Sequence, residues 1–196
     1  VDKRERTRAQ ILVAAKNVFL ANGYKETTIK LIAKEAGLGY GTIYSHFNLG
    51  KEEVLATLVE DVMGPFYKIV ELNYTPKNKQ EAFKFTYKNT YNYLSLAVEN
   101  KEIFRLIHEA KGMSPLIEEK WESITDQFIK RVSTNVEIVR QLGLIRNENY
   151  HAEVIAGSLY YIGERYLWKI ILDKTDIPIE EIARDMTTMY TFGLFK

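Results

Sequence analysis

The sequence predicts an all-α protein of about nine helices, with a small N-terminal helix-turn-helix head followed by a larger helical body. Three observations predict it. Apolar residues recur every three to four positions almost throughout, and no convincing stretch shows the two-residue alternation of a strand. Glycines and capping residues cut that pattern into short segments first and long ones later. Charge is uneven: residues 1–51 hold 9 Lys/Arg against 4 Asp/Glu, a net of +5, and the rest hold 18 against 22, a net of −4. A compact basic head on a mildly acidic body suits a head that meets a polyanion.

Ile11, Leu12, Ala15, Val18 and Phe19 share a helical face, and Asn22-Gly23 closes that first segment. Thr28 precedes Ile29, Ile32, Ala33 and Ala36, a short helix stopped by Gly37, and a third short segment runs from about Tyr40 to Phe47. Beyond Gly50 a longer helix carries Val54, Leu55, Leu58, Val62 and Phe66, which Gly64-Pro65 should kink or end early. Asn78 with Glu81 three residues on is a capping box opening a helix towards Glu99. A shorter segment covers Ile103 to Ala110, ending at Lys111-Gly112. Ser114-Pro115 pairs an N-cap with proline at the first helical position, and that helix can run to Leu142 before Gly143. The last two segments are Tyr150 to about Asp173 and Pro178 to about Leu194.

Composition narrows the class. With 46% hydrophobic and 12% aromatic residues the chain can bury a sizeable core. No cysteine occurs, which excludes disulfides and thiolate metal sites and suits a cytoplasmic location. The opening Val1-Asp2-Lys3-Arg4-Glu5-Arg6 is charged, unlike a signal peptide, and a start at Val1 suggests that the natural start is missing. The most apolar stretch, Leu159 to Leu172, is interrupted by Glu164-Arg165 and is too short to span a bilayer, so no membrane partner is expected.

Two short helices joined by a glycine-containing turn, the second fit for a major groove, form a helix-turn-helix pattern. Ile32, Ala33, Leu38, Ile43 and Phe47 can hold the pair together, leaving Gly39, Tyr40, Thr42, Tyr44 and His46 to face outwards. Thr28 and Lys51, at two helix starts, can supply a hydroxyl, amide groups and a positive charge to phosphates. Thr28 can also cap its own helix, and the two roles are compatible. Gly37-Leu38-Gly39-Tyr40-Gly41 is rejected as a nucleotide loop, since it follows a helix and lacks the full glycine spacing.

Thr27-Thr28-Ile29, Ile32-Ala33, Ala36-Gly37-Leu38, Gly41-Thr42-Ile43-Tyr44-Ser45-His46-Phe47, Lys51-Glu52 and Leu55 together resemble the signature of TetR-type repressors, over about residues 7–58. The resemblance implies phosphate contacts from Thr28, Tyr44 and Lys51, and base-facing or neighbouring positions for Gly39, Tyr40, Thr42 and His46. Two positions depart from it. Gly39 stands where a polar residue is common, and Lys51 follows Phe47 by four positions where the family has three. Whether Lys51 keeps its phosphate contact is left open by that extra residue.

In the body, Phe83, Tyr87, Tyr91 and Leu94 share one helical face, and Trp121, Ile124, Phe128, Val132 and Asn135 another. Phe104, Ile107 and His108 offer a third wall, and the tyrosines near Tyr160 a fourth. Phenol and indole groups beside aliphatic surface suit an apolar or aromatic small-molecule effector, although ordinary core packing explains them equally. Tyr87, Tyr91, Phe104, His108, Trp121 and Phe128 are the candidate ligand residues. Ala156, Gly157 and Gly163 are small residues on a long helix, and Ile182, Met186 and Met189 stripe the next. The resemblance implies that these two helices form a four-helix homodimer interface.

The expected division is a helix-turn-helix DNA-binding domain at 1–50 and a helical effector-binding and dimerisation domain at 51–196. The resemblance implies a ligand-responsive repressor that reads a palindromic duplex operator with two recognition helices, the helix beginning near Lys51 acting as lever. A body that binds a protein instead of a small molecule is the alternative. An enzyme is not expected: His108 and Glu109 lack a nucleophile partner or phosphate loop. His46, His108 and His151 lack metal-site spacing, so neither metal nor cofactor is expected.

Overall fold

The computed structural model describes residues 2–70 and 74–196, and Val1 lies outside them. The described residues form nine α-helices: α1 (Lys3–Glu26), α2 (Ile29–Ala36), α3 (Tyr40–His46), α4 (Lys51–Val70), α5 (Lys79–Glu99), α6 (Lys101–Lys111), α7 (Pro115–Gln141), α8 (Ala152–Ile171) and α9 (Ile179–Leu194). The only extended pairing among them is a single antiparallel bridge between Ile145 and Phe195. The protein is all-α.

Packing divides the chain into two compact units. The first holds residues 1–64 with 102–122, and the second holds 65–101 with 123–196. The packing units therefore interleave in sequence, unlike the division at residue 50 drawn on function.

In the first unit α1 is longer than its apolar stripe, because Asp2 N–H donates to Glu5 at 3.3 Å and starts the helix in charged sequence. Ile11, Ala14, Ala15, Val18 and Phe19 form its buried face. Gly23 breaks the helix as its composition suggests, with φ 75° and ψ 175°, a conformation open to glycine and strained for other residues. Thr28 caps α2, its Oγ1 accepting from Leu31 N at 3.3 Å. The sequence places α3 correctly to within a residue.

The expected break at Gly64-Pro65 does not end α4, which continues to Val70 with Pro65 inside it. Proline removes one backbone hydrogen bond. Met63 and Phe66, on either side of it, are each at most 2% exposed, and their burial offsets that loss.

In the second unit α5 packs on both α8 and α9. Ala82, Thr86, Thr90, Tyr93, Leu94 and Ala97 form its buried face. Asn78 Oδ1 accepts from Glu81 N at 2.9 Å, while the Glu81 carboxylate reaches back to Lys77 N at 3.0 Å. A core of Tyr74, Ala82, Val136, Val139, Ile145, Leu194 and Phe195 ties the end of α7 to the end of α9.

Candidate functional site

Ile32, Ala33, Ile43 and Phe47 are buried between α2, α3 and α1, with Leu38 half-buried at the turn. That leaves the other side of α3 to solvent. Tyr40 is 51% and Tyr44 39% exposed, their rings 5.0 Å apart and their hydroxyls 3.4 Å apart. The hydrogen bond with Tyr40 raises the Tyr44 phenol above its usual range, so Tyr44 keeps its proton. Gly39 is exposed, and Thr42 and His46 are half-buried. An open groove of about 490 Å³ brings Thr28, Tyr40, Tyr44 and Lys51 to one surface with Lys25 and Lys30. The two additional lysines carry charge that residue-type patterning cannot distinguish from any solvated lysine.

Lys51 is at that groove, but its ammonium is turned to the protein. Nζ donates to the carbonyls of Tyr24 at 2.8 Å, Thr27 at 2.9 Å and Lys25 at 3.2 Å, and lies 4.4 Å from the centre of the Tyr24 ring. An ammonium has three hydrogens, and all three are occupied. In this arrangement the lysine braces the corner between α1 and α2, and the phosphate contact that the resemblance implies requires the ammonium to leave these carbonyls. Glu109 holds the same corner by its amides, accepting from Tyr24 N and Lys25 N at 3.1 Å each. A Cβ on Gly23 would come within 3.1 Å of that carboxylate.

Two further side chains of α1 close the head. Gln10 Nε2 donates to Ala36 O, the last carbonyl of α2, at 2.7 Å. Arg8 donates to His46 O, the last of α3, at 3.0 Å and to Thr57 Oγ1 at 3.3 Å, with its guanidinium 4.1 Å over the Phe47 ring.

The second unit contains an aromatic cavity of about 60 Å³. Phe66 is tilted against Tyr93 at 4.6 Å and stacked on Phe128 at 5.3 Å, and Phe128 meets Tyr160 at 4.9 Å. Tyr160 Oη pairs with Thr125 Oγ1 at 2.8 Å. Other lining groups, the Tyr74 and Tyr93 hydroxyls and Asn135 Oδ1, are buried with no hydrogen-bond partner among the described residues. Burial pushes the Tyr93 phenol well up, which keeps it protonated.

Of the six expected ligand residues, the structure places only Phe128 on this cavity. Tyr87 and Tyr91 continue a ladder with Phe83, ring to ring at 6.2 Å, on a half-buried face of α5. Phe104 and Trp121 meet edge to face at 6.3 Å in the core of the first unit, where His108 is exposed. Spacing shows which residues share a helix face; it does not show which neighbour that face meets. The lining residues Tyr74, Thr86 and Tyr93 lacked any such signal.

The small residues of α8 are likewise used within the chain. Ala156, Gly157, Gly163, Ile182 and Met186 are buried, and a Cβ on Gly163 would lie 3.1 Å from Met186 Cε. Met189 alone of the expected interface set is open, at 71% exposure. Val154, Tyr161 and Ile162 of α8 and Phe192 of α9 are also exposed, and Ile162 lines one groove with Met189.

A buried helix pair with its second helix open on one side is the head of a helix-turn-helix DNA-binding regulator. Residues 11–58 match the family model described as bacterial regulatory proteins, tetR family. SrpR of Pseudomonas putida, an HTH-type transcriptional regulator, is 29% identical over 80% of this chain and 75% of its own length. The fatty acid metabolism regulator protein of Bacillus subtilis is 42% identical over 32% of this chain and 31% of its own. Among solved structures, the SmeT–triclosan complex has a TM-score of 0.79 at 22% identity, covering 97% of this chain and 92% of that one. SmeT, repressor of the Stenotrophomonas maltophilia multidrug efflux pump SmeDEF, gives 0.76 at 21%, covering 100% and 93%. Residues 11–58 thus carry the DNA-binding head of the tetR family, and the chain as a whole has the fold of TetR-type transcriptional regulators and is similar to them.

If Lys51 is a brace, Lys51→Met destabilises the protein by about 1–2 kcal/mol, because three carbonyls lose a charged partner. The slope of log affinity for duplex DNA against log salt stays unchanged. A phosphate contact would instead lower that slope by about one.

Proposed function

We propose that this chain is a homodimeric repressor that is released from a palindromic operator by a small, apolar or aromatic effector. The open Tyr40–Tyr44 surface with Thr28 carries the DNA half of this reading. Thr28 and Tyr44 donate to phosphates, and Gly39, Tyr40, Thr42 and His46 meet the base edges. The functional division is then residues 1–50 for DNA and 51–196 for effector and partner subunit.

The aromatic cavity with unpartnered polar atoms supports an effector over a protein partner, since a body serving only as a docking scaffold needs no such space. SmeT, of the same fold, is described as a repressor and in a complex with triclosan, which agrees with this reading. A cavity of about 60 Å³ is well under the ~150 Å³ that accommodates benzene. A ring-sized effector must therefore displace Phe128, Tyr160 or Met186, and so favours a different packing of α5, α7, α8 and α9. Such couplings are typically about 1–3 kcal/mol, or roughly 5- to 150-fold in affinity for DNA. Dimerisation uses the exposed apolar strip of α8 and α9 that includes Met189.

Footprinting on the DNA upstream of the chain's own gene is expected to show salt-sensitive protection. Tyr44→Phe and Thr28→Val weaken it evenly across sequences, whereas Thr42→Ala and His46→Ala alter base preference; no salt-sensitive protection on any duplex overturns the reading. Asn135→Leu fills the cavity and removes an orphaned acceptor. It should raise the melting temperature and weaken triclosan-induced release, used as the probe, about tenfold, with DNA affinity unchanged. In sedimentation, Met189→Glu should convert dimers to folded monomers, and a persistent dimer would place the interface elsewhere.

A further inference from the structure

Next to the aromatic cavity the second unit has an open groove of about 520 Å³. Phe66 and Phe128 line both spaces, so their stacked rings are a shared wall. Apart from that wall the groove is polar, and its polar character is one-sided. Lys130 and Arg131 bring positive charge, Tyr67 a phenol, and no carboxylate is among the lining residues.

Two of these groups have no assigned work. Lys130 is exposed on α7, and no ion pair among the described residues occupies it. Tyr67 Oη is buried with no hydrogen-bond partner among the described residues. A buried hydroxyl in that condition is unfavourable and calls for an explanation. Burial also raises its pKa, so the phenol keeps its proton and remains a donor. Donors and positive charge at the mouth, with aromatic surface behind, match a molecule that is anionic at one end and apolar along the rest.

We propose that the effector is an anionic amphiphile. Its carboxylate or similar group lies in the outer groove against Lys130, Arg131 and Tyr67 Oη. Its apolar chain or ring passes the Phe66–Phe128 wall and enters the aromatic cavity, where the Tyr93 and Tyr74 hydroxyls lie. This rests on the effector reading of the body and adds the charge of the ligand and its orientation. Entry from the groove also resolves the size problem, because the two spaces merge once those rings rotate.

The test is calorimetric titration of the full-length protein with decanoate, 1-decanol and decyltrimethylammonium at one ionic strength. Decanoate is expected to bind about tenfold more tightly than decanol, and the cation more weakly than either. Lys130→Met and Tyr67→Phe should each weaken decanoate about fivefold and leave decanol unchanged. Neither change threatens folding, since one side chain is exposed and the hydroxyl bonds to nothing. Equal affinity for decanoate and decanol, or variants that weaken both alike, overturns the anionic assignment and leaves the effector cavity standing. Failure of all three probes overturns the proposal, and failure of triclosan as well removes the effector reading with it.

Discussion

The head depends on the carbonyls at helix C-termini. The last carbonyls of a helix have no partner within it and carry the negative end of its dipole. In each of the first three helices these groups are taken by a side chain from another helix: Lys51 for α1, Gln10 for α2 and Arg8 for α3. Such bonds contribute about 1–3 kcal/mol each where a charge is involved. The recognition helix needs them most. It has seven residues and buries only Ile43, with Phe47 just beyond it. A helix that short has no stability of its own.

That economy of burial is also what makes the surface useful. With two apolar anchors directed inwards, the rest of α3 is free to present Tyr40, Thr42 and Tyr44. The Arg8 guanidinium covers Phe47 and ties it to Thr57 on α4, so the recognition helix and the start of α4 form one packed body. Glu109 and Lys51 hold opposite polar edges of the Tyr24–Thr27 segment, amides on one side and carbonyls on the other. Through these contacts α4 and α6 both bear on the corner that orients α2. The corner that orients α2 is thus tied to both helices by charged hydrogen bonds.

Much of this was legible in the sequence, and the limits follow from what spacing records. Helix stops at Gly37 and Gly143 and starts at Thr28, Asn78 and Ser114 are local chemistry and legible in the sequence, whereas Gly23, expected to close the first helix, only kinks α1, which runs on to Glu26. The pairing of Ile32, Ala33, Ile43 and Phe47 was legible because adjacent helices in a tight turn have only one way to meet. Of the two outcomes expected at Gly64-Pro65, a kink or an early end, the early end does not occur, and Met63 and Phe66 are buried on either side of Pro65. The site in the body was hardly legible. Trp121 and Phe128 lie on one face of α7, yet they belong to different packing units, which no periodicity reveals. Gly163 permits close helix approach, and within the chain the approaching group is Met186, whose Cε lies 3.1 Å from where a Cβ on Gly163 would be. Lys51 was flagged by its offset from the family pattern, but its three carbonyls come from a corner 24 or more residues earlier in the chain.

Amide hydrogen exchange of the Arg8→Met variant tests most directly whether borrowed C-terminal caps hold the head together. The account predicts faster exchange through α3 and the first turns of α4 together, with the second unit's protection unchanged as an internal reference. Faster exchange confined to the turn of α1 around residue 8, with α3 as protected as before, would contradict it.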